Sequence, residues 1–285
     1  MLARMPLSTD VLLDGLAFPE GPRWRDDRLW FSDMHDHCVK TVDLDGCCDE
    51  VVRVENDPSG LGWLPDGRLL VVSMRDRRLL CLDEGELREL ADLSGVAAHP
   101  CNDMVTDARG RSYVGNFGFD FEANAEPKTA DLALVMPDGE VRVAAHGLSF
   151  PNGTVITPDG RTLVVGESFA SRLSAFDIAD DGSLSKRRVW ATLEGATPDG
   201  ICLDAEGAIW VASPVGNQLL RVREGGEVTH RFGVSRQAIA CMLGGPKRTT
   251  LFVCTSESLR PEECRAKRNA RIEVVEVEVP GAGLP

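Results

Sequence analysis

One pattern recurs six times along the 285-residue chain: an apolar strand, a tight turn rich in Asp and Gly, and a second apolar strand. Gly accepts the positive φ of such turns, so an Asp-Gly pair between apolar runs predicts a hairpin. One residue of the second strand marks each copy at intervals of 40 to 50 residues: Trp30, Leu70, Tyr113, Leu163, Trp210 and Leu251. Two more strand-like runs follow each hairpin, as at residues 78–82 and 86–90. The repeat predicts an all-β fold, a six-bladed β-propeller built as one domain over residues 1–285.

The two ends of the chain are predicted to share a blade. Residues 271–279 alternate between apolar and charged side chains as a strand does. Residues 9–16 are expected to lie beside them as the outermost strand. That pairing would join the termini and cover an exposed sheet edge.

One residue per repeat occupies the start of the innermost strand. Counting back eleven positions from each marker, or ten in the shorter first hairpin, gives Glu20, Ser59, Asn102, Asn152, Asp199 and Ala240. Innermost strands line the channel of a propeller, so we expect the carboxylates and amides of this set to converge: Glu20, Asn102, Asn152 and Asp199. A single X-Pro-polar-Gly segment is also an ordinary turn. The repetition at equivalent points favours one divalent ion, most simply Ca²⁺, with Mg²⁺, Mn²⁺ or Zn²⁺ as alternatives.

Such an ion could serve hydrolysis. It can polarise a carbonyl oxygen and lower the pKa of bound water, and Asp199, opposite Glu20, is the candidate general base. A buried ion that only stabilises the ring is the alternative. No Gly-x-Ser-x-Gly segment indicates a serine hydrolase. The five histidines share no ligand spacing and are expected at the surface or in loops: His35, His37, His99, His146 and His230.

Four motifs resemble those of the SMP-30/gluconolactonase/luciferin-regenerating family, in order and spacing: Glu20-Gly21-Pro22-Arg23-Trp24, Asn102-Asp103, Pro151-Asn152-Gly153 and Pro198-Asp199-Gly200-Ile201. The likeness extends over residues 13–279. It implies a six-bladed propeller with a calcium or zinc ion that hydrolyses sugar lactones or related esters. It also implies metal ligands at Glu20, Asn152 and Asp199, a general base at Asp199, and a further ligand or substrate contact at Asn102.

The chain departs from this family at Pro100. Several sugar lactonases have an arginine two residues before the Asn-Asp pair, where it can contact substrate hydroxyls. A less polar lactone or an aryl ester is therefore also expected here. The candidate substrate contacts are Asn102, Asp103, Met74 and Phe119, with Phe117 and Phe169 as further wall residues. Residues 116–131 form a long insertion between strands and are the candidate lid.

Charge and composition limit the partners. The net charge of −14 argues against nucleic acid, which needs clustered Lys and Arg. The one basic cluster, at residues 260–271, also contains Glu and is expected to be a solvated loop. No apolar stretch is long enough to span a membrane, and the nine cysteines lack the spacing of a disulfide framework, so a reduced, cytoplasmic protein is expected.

The sequence leaves several alternatives open. Phosphotriester hydrolysis could use the same kind of metal site. A non-catalytic propeller with a structural ion could bind a protein or small molecule, because the fold alone does not determine function. The oligomeric state is not predicted.

Overall fold

The computed structural model describes residues 8–285. Its strands form six four-stranded antiparallel sheets, the blades of a propeller, which confirms the predicted fold class. The first twelve strands are β1 (Asp10–Leu16), β2 (Pro19–Arg25), β3 (Arg28–Asp33), β4 (Cys38–Val42), β5 (Cys48–Arg53), β6 (Pro58–Trp63), β7 (Leu69–Ser73), β8 (Arg78–Asp83), β9 (Glu86–Asp92), β10 (Cys101–Thr106), β11 (Ser112–Asn116) and β12 (Ala130–Val135). The others are β13 (Val141–Leu148), β14 (Pro151–Ile156), β15 (Thr162–Glu167), β16 (Arg172–Ile178), β17 (Leu184–Thr192), β18 (Ile201–Leu203), β19 (Ile209–Ser213), β20 (Gln218–Val222), β21 (Val228–Gly233), β22 (Gln237–Gly244), β23 (Thr250–Ser256) and β24 (Ala270–Glu276).

Blade 6 joins the two ends of the chain. Blades 1 to 5 each contain four consecutive strands, whereas blade 6 contains β22, β23, β24 and, outermost, β1. Strand β1 pairs antiparallel with β24, with Asp10 opposite Val274 and Leu16 opposite Ala270. This pairing is the one predicted for the two ends, and it closes the ring.

The first strands of the blades surround the axis. Each lies beside the first strand of the next blade, in the order β2, β6, β10, β14, β18 and β22, with β22 beside β2. We call the face at which these strands begin the upper face, and the opposite face the base. The connections from the second to the third strand of each blade also lie on the upper face, since that is where the second strands end. The hairpin turns between first and second strands lie at the base.

Neighbouring blades pack through apolar and aromatic side chains. Trp24 of blade 1 stacks on Phe252 of blade 6, with ring centroids 5.3 Å apart, and Trp30 meets Trp63 of blade 2 edge-on at 5.6 Å. The largest fully buried side chains include Trp210, the residue that marks the fifth repeat. Five of the six repeat markers are fully or almost fully buried, namely Leu70, Tyr113, Leu163, Trp210 and Leu251, and Trp30 is partly buried against blade 2.

The hairpin turns form as their sequences predict. In blade 2 the amide of Leu64 donates to the Arg68 carbonyl at 2.9 Å, and that of Gly67 donates to the Leu64 carbonyl at 2.9 Å. Gly67 has a φ of +93°, which a residue with a side chain rarely adopts.

The chain ends in a tail, residues 277–285, that crosses the base. The Ala205 amide of blade 5 donates to the Pro280 carbonyl at 2.8 Å, and Ala282 donates to the carbonyl of Leu203 at 3.0 Å. Leu284 then exchanges two backbone hydrogen bonds with Ile156, the last residue of β14. The tail thus lies over the ends of the inner strands.

The basic cluster at residues 260–271 is not wholly a loop. It contains α1 (Pro261–Lys267), which begins at a proline and has Glu262 and Glu263 in its first turn and Arg265 and Lys267 in its last. Proline at the first helical position and charges opposed to the helix dipole favour this helix. Seven residues are too few to show helical periodicity. No helix among residues 8–285 is long and apolar enough to cross a membrane.

Candidate metal centre and its mouth

The candidate ligands lie at irregularities of the inner strands. The register with the second strand shifts between Glu20 and Arg23 in β2, and between Cys101 and Met104 in β10. Strand β14 has the same shift between Pro151 and Thr154. A bulge turns side chains away from their regular alternation, so these shifts change the direction of the side chains at the start of each strand.

Small residues next to the ligands bring the inner strands close together. A Cβ atom on Gly153 would lie 2.6 Å from the Asp199 carbonyl oxygen, and one on Gly200 would lie 2.4 Å from the Ala240 Cβ. The backbone also bonds across the blades here: the Gly153 amide donates to the Asp199 carbonyl at 3.1 Å. Larger side chains would separate the blades, so these glycines keep the ring narrow where the ligands meet.

Three carboxyl groups at the start of the inner strands lie close enough for their charges to affect one another's pKa. Burial, followed by the charges of Asp199 and Asp103, raises the pKa of Glu20 well above its usual range. Burial and the charge of Asp103 also raise the pKa of Asp199, although a hydrogen bond with Asn152 opposes them. Glu20 and Asp103 are buried, and Asp199 is partly exposed. Three acidic groups from blades 1, 3 and 5 therefore influence one another at the upper end of the channel.

Two amides are held in place between the blades. The Asn152 Nδ2 donates to the Ser168 hydroxyl at 3.3 Å, and that hydroxyl donates to the Pro198 carbonyl at 2.7 Å. The Asn102 Nδ2 donates to the Pro151 carbonyl at 3.3 Å. Ser168 follows β15 and was not predicted from the sequence, because it precedes no repeated motif.

Two buried oxygens at these equivalent positions have no hydrogen-bond partner among the described residues. They are the Oδ1 of Asn152 and the Oγ of Ser59. Buried polar atoms are nearly always satisfied, so these oxygens indicate a missing partner. A cation would satisfy both the amide oxygen and the neighbouring carboxylates.

The donor set fits a divalent ion that prefers oxygen. Within residues 8–285 no three Asp, Glu, His or Cys side chains form a metal-holding group, so the set depends on its amide oxygens. Carboxylate and amide oxygens are ligands of Ca²⁺. Glu20, Asn152 and Asp199 are thus the residues that would hold the ion, with Asn102 beside them.

Asp103 follows Asn102 along β10, one residue closer to the base, and forms an ion pair. Its Oδ1 accepts from the Arg23 guanidinium at 2.7 Å and from the Met104 amide at 2.8 Å. Arg23 also donates to the carbonyls of Leu61 and Met104, so it links blades 1, 2 and 3. This pair was not predicted. The role of Asp103 as a substrate contact stays a prediction.

Five phenylalanines form an aromatic wall beside the candidate centre. Phe119 is buried and lies 5.5 Å from Phe169 and 5.9 Å from Phe150, measured between ring centroids. The full set is Phe117, Phe119, Phe121, Phe150 and Phe169. Phe121 and Phe150 were not predicted as wall residues. Phe121 occupies no repeated position, and Phe150, which precedes Pro151 as Phe18 precedes Pro19, belongs to a motif that was interpreted only for its ligand.

Met74 is buried, and its carbonyl accepts from the Cys101 amide at 3.0 Å. It thus lies beside the residue that precedes Asn102. The roles of Met74 and Phe119 as substrate contacts stay predictions.

The predicted insertion is a loop of residues 117–129 between β11 and β12. Its Glu122 forms a bidentate ion pair with Arg75 of blade 2, at 2.7 and 3.2 Å. Arg75 also donates to the buried Asp57 at 2.5 Å. The loop is thereby attached to the neighbouring blade at the rim of the mouth, by which we mean the opening of the channel on the upper face.

His35 differs from the expected surface histidine. It lies in the Met34–Asp36 turn and is buried against Phe18, with ring centroids 5.1 Å apart. Burial lowers its pKa to about 4. His99 is partly buried, one residue before Pro100.

Known proteins resemble this chain over most of its length. The chain is 26% identical over 254 residues to the pentonolactonase XacC of Haloferax volcanii, covering 87% of this chain and 84% of that protein. It is 29% identical over 174 residues to the regucalcin of Danio rerio, but the match spans only 58% of that protein and 59% of this chain. A solved calcium-binding regucalcin from Agrobacterium tumefaciens superposes with a TM-score of 0.81 over 99% of this chain and 97% of its own, at 23% identity, which shows the shared fold. Residues 18–257 match the SMP-30/gluconolactonase/LRE-like region, and the chain therefore belongs to that family.

Proposed function

We propose that this protein is a metal-dependent hydrolase that opens lactones. The observation that carries the proposal is the unpartnered, buried Oδ1 of Asn152 beside the carboxyl groups of Glu20 and Asp199. Membership of a family that includes gluconolactonases, and similarity to a pentonolactonase, support the choice of a lactone ester. Pro100 stands where several sugar lactonases have arginine, and together with the buried Cys101 that follows it, it favours a substrate less polar than a sugar lactone.

When bound, a divalent ion would supply Lewis-acid polarisation of the ester carbonyl and lower the pKa of water. Glu20, Asn152 and Asp199 would hold it, and Ca²⁺ matches their oxygens best. Asp199 accepts a proton as the water oxygen bonds to the carbonyl carbon. The ring C–O bond then breaks, the proton passes to the released alkoxide, and the product is a hydroxy acid. Asn102 contacts the substrate or completes the ligand set.

Acid release from a panel of lactones, followed with a pH indicator, tests this function. The wild type with added Ca²⁺ should open at least one lactone, and chelation should abolish the activity. Asp199→Asn should lower kcat/KM at least about a hundredfold because it removes the general base. The exposed Asp45 provides the matched control, since Asp45→Asn should retain wild-type rates.

Two results would contradict the proposal. If calorimetry detects metal binding while no lactone or ester is opened, the chain is a binding propeller with a structural ion. If a phosphotriester is hydrolysed faster than every lactone, the reaction class is different. Mg²⁺, Mn²⁺ and Zn²⁺ tested in place of Ca²⁺ identify the ion that supports the reaction.

We also propose a cytoplasmic location. All nine cysteines are free thiols, and seven of them are buried. Free thiols in this number suit a reducing compartment.

A further inference from the structure

The aromatic wall concentrates apolar surface at the mouth. Five of the ten phenylalanines in the chain belong to it. Phe121 is 37% exposed and Phe169 is 48% exposed, although both pack against other rings of the wall. Contiguous exposed aromatic surface often marks a binding site. The wall therefore needs an explanation beyond the packing of the core.

The wall begins at the residues that hold the candidate metal ligands. Phe150 lies two residues before Asn152, and Phe169 directly follows Ser168, whose hydroxyl accepts from Asn152. The Phe117 amide donates to the Pro100 carbonyl at 3.0 Å, two residues before Asn102. A molecule that reaches the amides of blades 3 and 4 thus has the rings beside it.

The rings are held in defined positions. Phe117 and Phe150 are stacked, with centroids 4.7 Å apart and planes at 13°. The Phe150 backbone has a φ of +58°, an uncommon and strained conformation for a bulky residue. The Phe150 carbonyl accepts from the Ser168 amide at 3.1 Å, and the Phe169 amide donates to the Ser149 carbonyl at 3.3 Å. The surface is formed before any ligand arrives.

The wall offers no polar side-chain group to a ligand, since all five members are phenylalanine. At its rim, Glu122 and Arg75 are engaged with each other. A polyhydroxylated substituent placed here would lose water without gaining hydrogen bonds. An alkyl or aryl substituent would bind more favourably, because its apolar surface would be removed from water.

We infer that the aromatic wall is a subsite for the apolar alkyl or aryl substituent of the substrate. This inference rests on the proposed lactone hydrolysis. The ester group would lie at Asp199 and Asn102, and the substituent on its ring would extend over Phe121 and Phe169. The length of the substituent on the lactone then determines specificity, by about fourfold in kcat/KM for each methylene that the wall buries.

A series of γ-lactones tests the subsite: γ-butyrolactone, γ-hexalactone and γ-nonalactone, with glucono-δ-lactone for comparison. In the metal-loaded wild type, kcat/KM should rise with chain length, and γ-nonalactone should exceed γ-butyrolactone at least tenfold. The double variant Phe121→Ala with Phe169→Ala should lower that ratio at least tenfold. Both side chains are exposed enough for the variant to fold, which its thermal melting temperature verifies.

Leu259 provides the matched control. It is 42% exposed and lies in the connection between β23 and β24, also on the upper face but in blade 6. Leu259→Ala should keep the wild-type ratio, which separates the wall from general apolarity of the mouth. A wild-type ratio of kcat/KM for γ-nonalactone to that for γ-butyrolactone near one, or the same ratio in the double variant, would overturn the subsite. Neither result would contradict the proposed hydrolysis. Absence of hydrolysis with every lactone would overturn the proposed function and the subsite together.

Discussion

A single buried carboxylate supports the residue that orients Asn152. Glu167 immediately precedes Ser168, and its side chain is fully buried. It accepts hydrogen bonds from two arginines, one hydroxyl and one amide: Arg172, Arg187, Ser174 and Ser149. Burial alone would raise the pKa of this carboxyl, but its donors outweigh burial and lower the pKa to about 2.

Glu167→Gln should lower the free energy of unfolding at pH 7 by about 2 kcal/mol, because it leaves buried donors without a charged acceptor. The loss is no larger than this because the partly exposed arginines recover some hydration. A carboxyl with a depressed pKa stabilises the fold above its unfolded pKa, and this stabilisation is lost as pH falls towards the folded value. The difference between wild type and variant should therefore shrink between about pH 5 and pH 2. Urea unfolding at several pH values measures it.

The exposed pair of Glu140 and Arg142 provides the control. Glu140→Gln should leave the unfolding curve unchanged at every pH. A Glu167 variant as stable as the wild type at pH 7 would refute the role of this carboxylate.

At this scale the sequence predicted ligands but not their supports. Glu20, Asn102, Asn152 and Asp199 were identified as candidate ligands by counting, since a repeat places equivalent residues at equivalent points of a ring, and their role as ligands stays a prediction. Counting cannot find Ser168 or Arg23 as partners. Their hydrogen bonds join different blades or strands and leave no regular spacing.

Among the elements, the loop of residues 117–129 is held by its three phenylalanines, which pack in the aromatic wall, and by the ion pair of Glu122 with Arg75. The sequence predicted it as an insertion at residues 116–131, because no strand pattern covers it. Its attachment through Glu122 could not be predicted, since Arg75 lies 47 positions away along the chain. The short helix α1 was missed for a different reason, because its seven residues, four of them charged, resemble a solvated loop.

Glu122→Gln should loosen this loop without destabilising the blades. The lost ion pair is exposed and worth about 0.5 kcal/mol, so the melting temperature should change by less than about 2 °C. Hydrogen exchange of the loop amides should become several times faster. Glu126→Gln, in the same loop but with no ion pair among the described contacts, should exchange as the wild type does. Equal exchange rates in both variants would show that the ion pair between Glu122 and Arg75 does not hold the loop.

The whole molecule depends on the junction in blade 6. The alternation of residues 271–279 and the apolar run near the start predicted this junction, and β1 pairs with β24 accordingly. The path of the tail across the base could not be predicted. Its Gly and Pro residues follow no periodicity, and its contacts are backbone hydrogen bonds to Leu203 and Ile156.

A chain that starts at Ala17 should lose more stability than one that ends at Pro280. The first lacks β1, which exposes the edge of β24 and removes the buried Leu16, so its melting temperature should fall by roughly 5 °C or more and it should aggregate with rising concentration. The second loses only the last tail contacts. Calorimetry and light scattering compare the two. A larger loss in the chain that ends at Pro280 would contradict this ranking.

The course of the tail also has a consequence for the access of ligands to the channel. Leu284 bonds to Ile156 at the base, and above it Arg23 joins blades 1, 2 and 3, so both lie on the base side of the candidate ligands. Under the proposed function, we expect the substrate to enter and the product to leave through the upper face. The product should therefore compete with the substrate for the site.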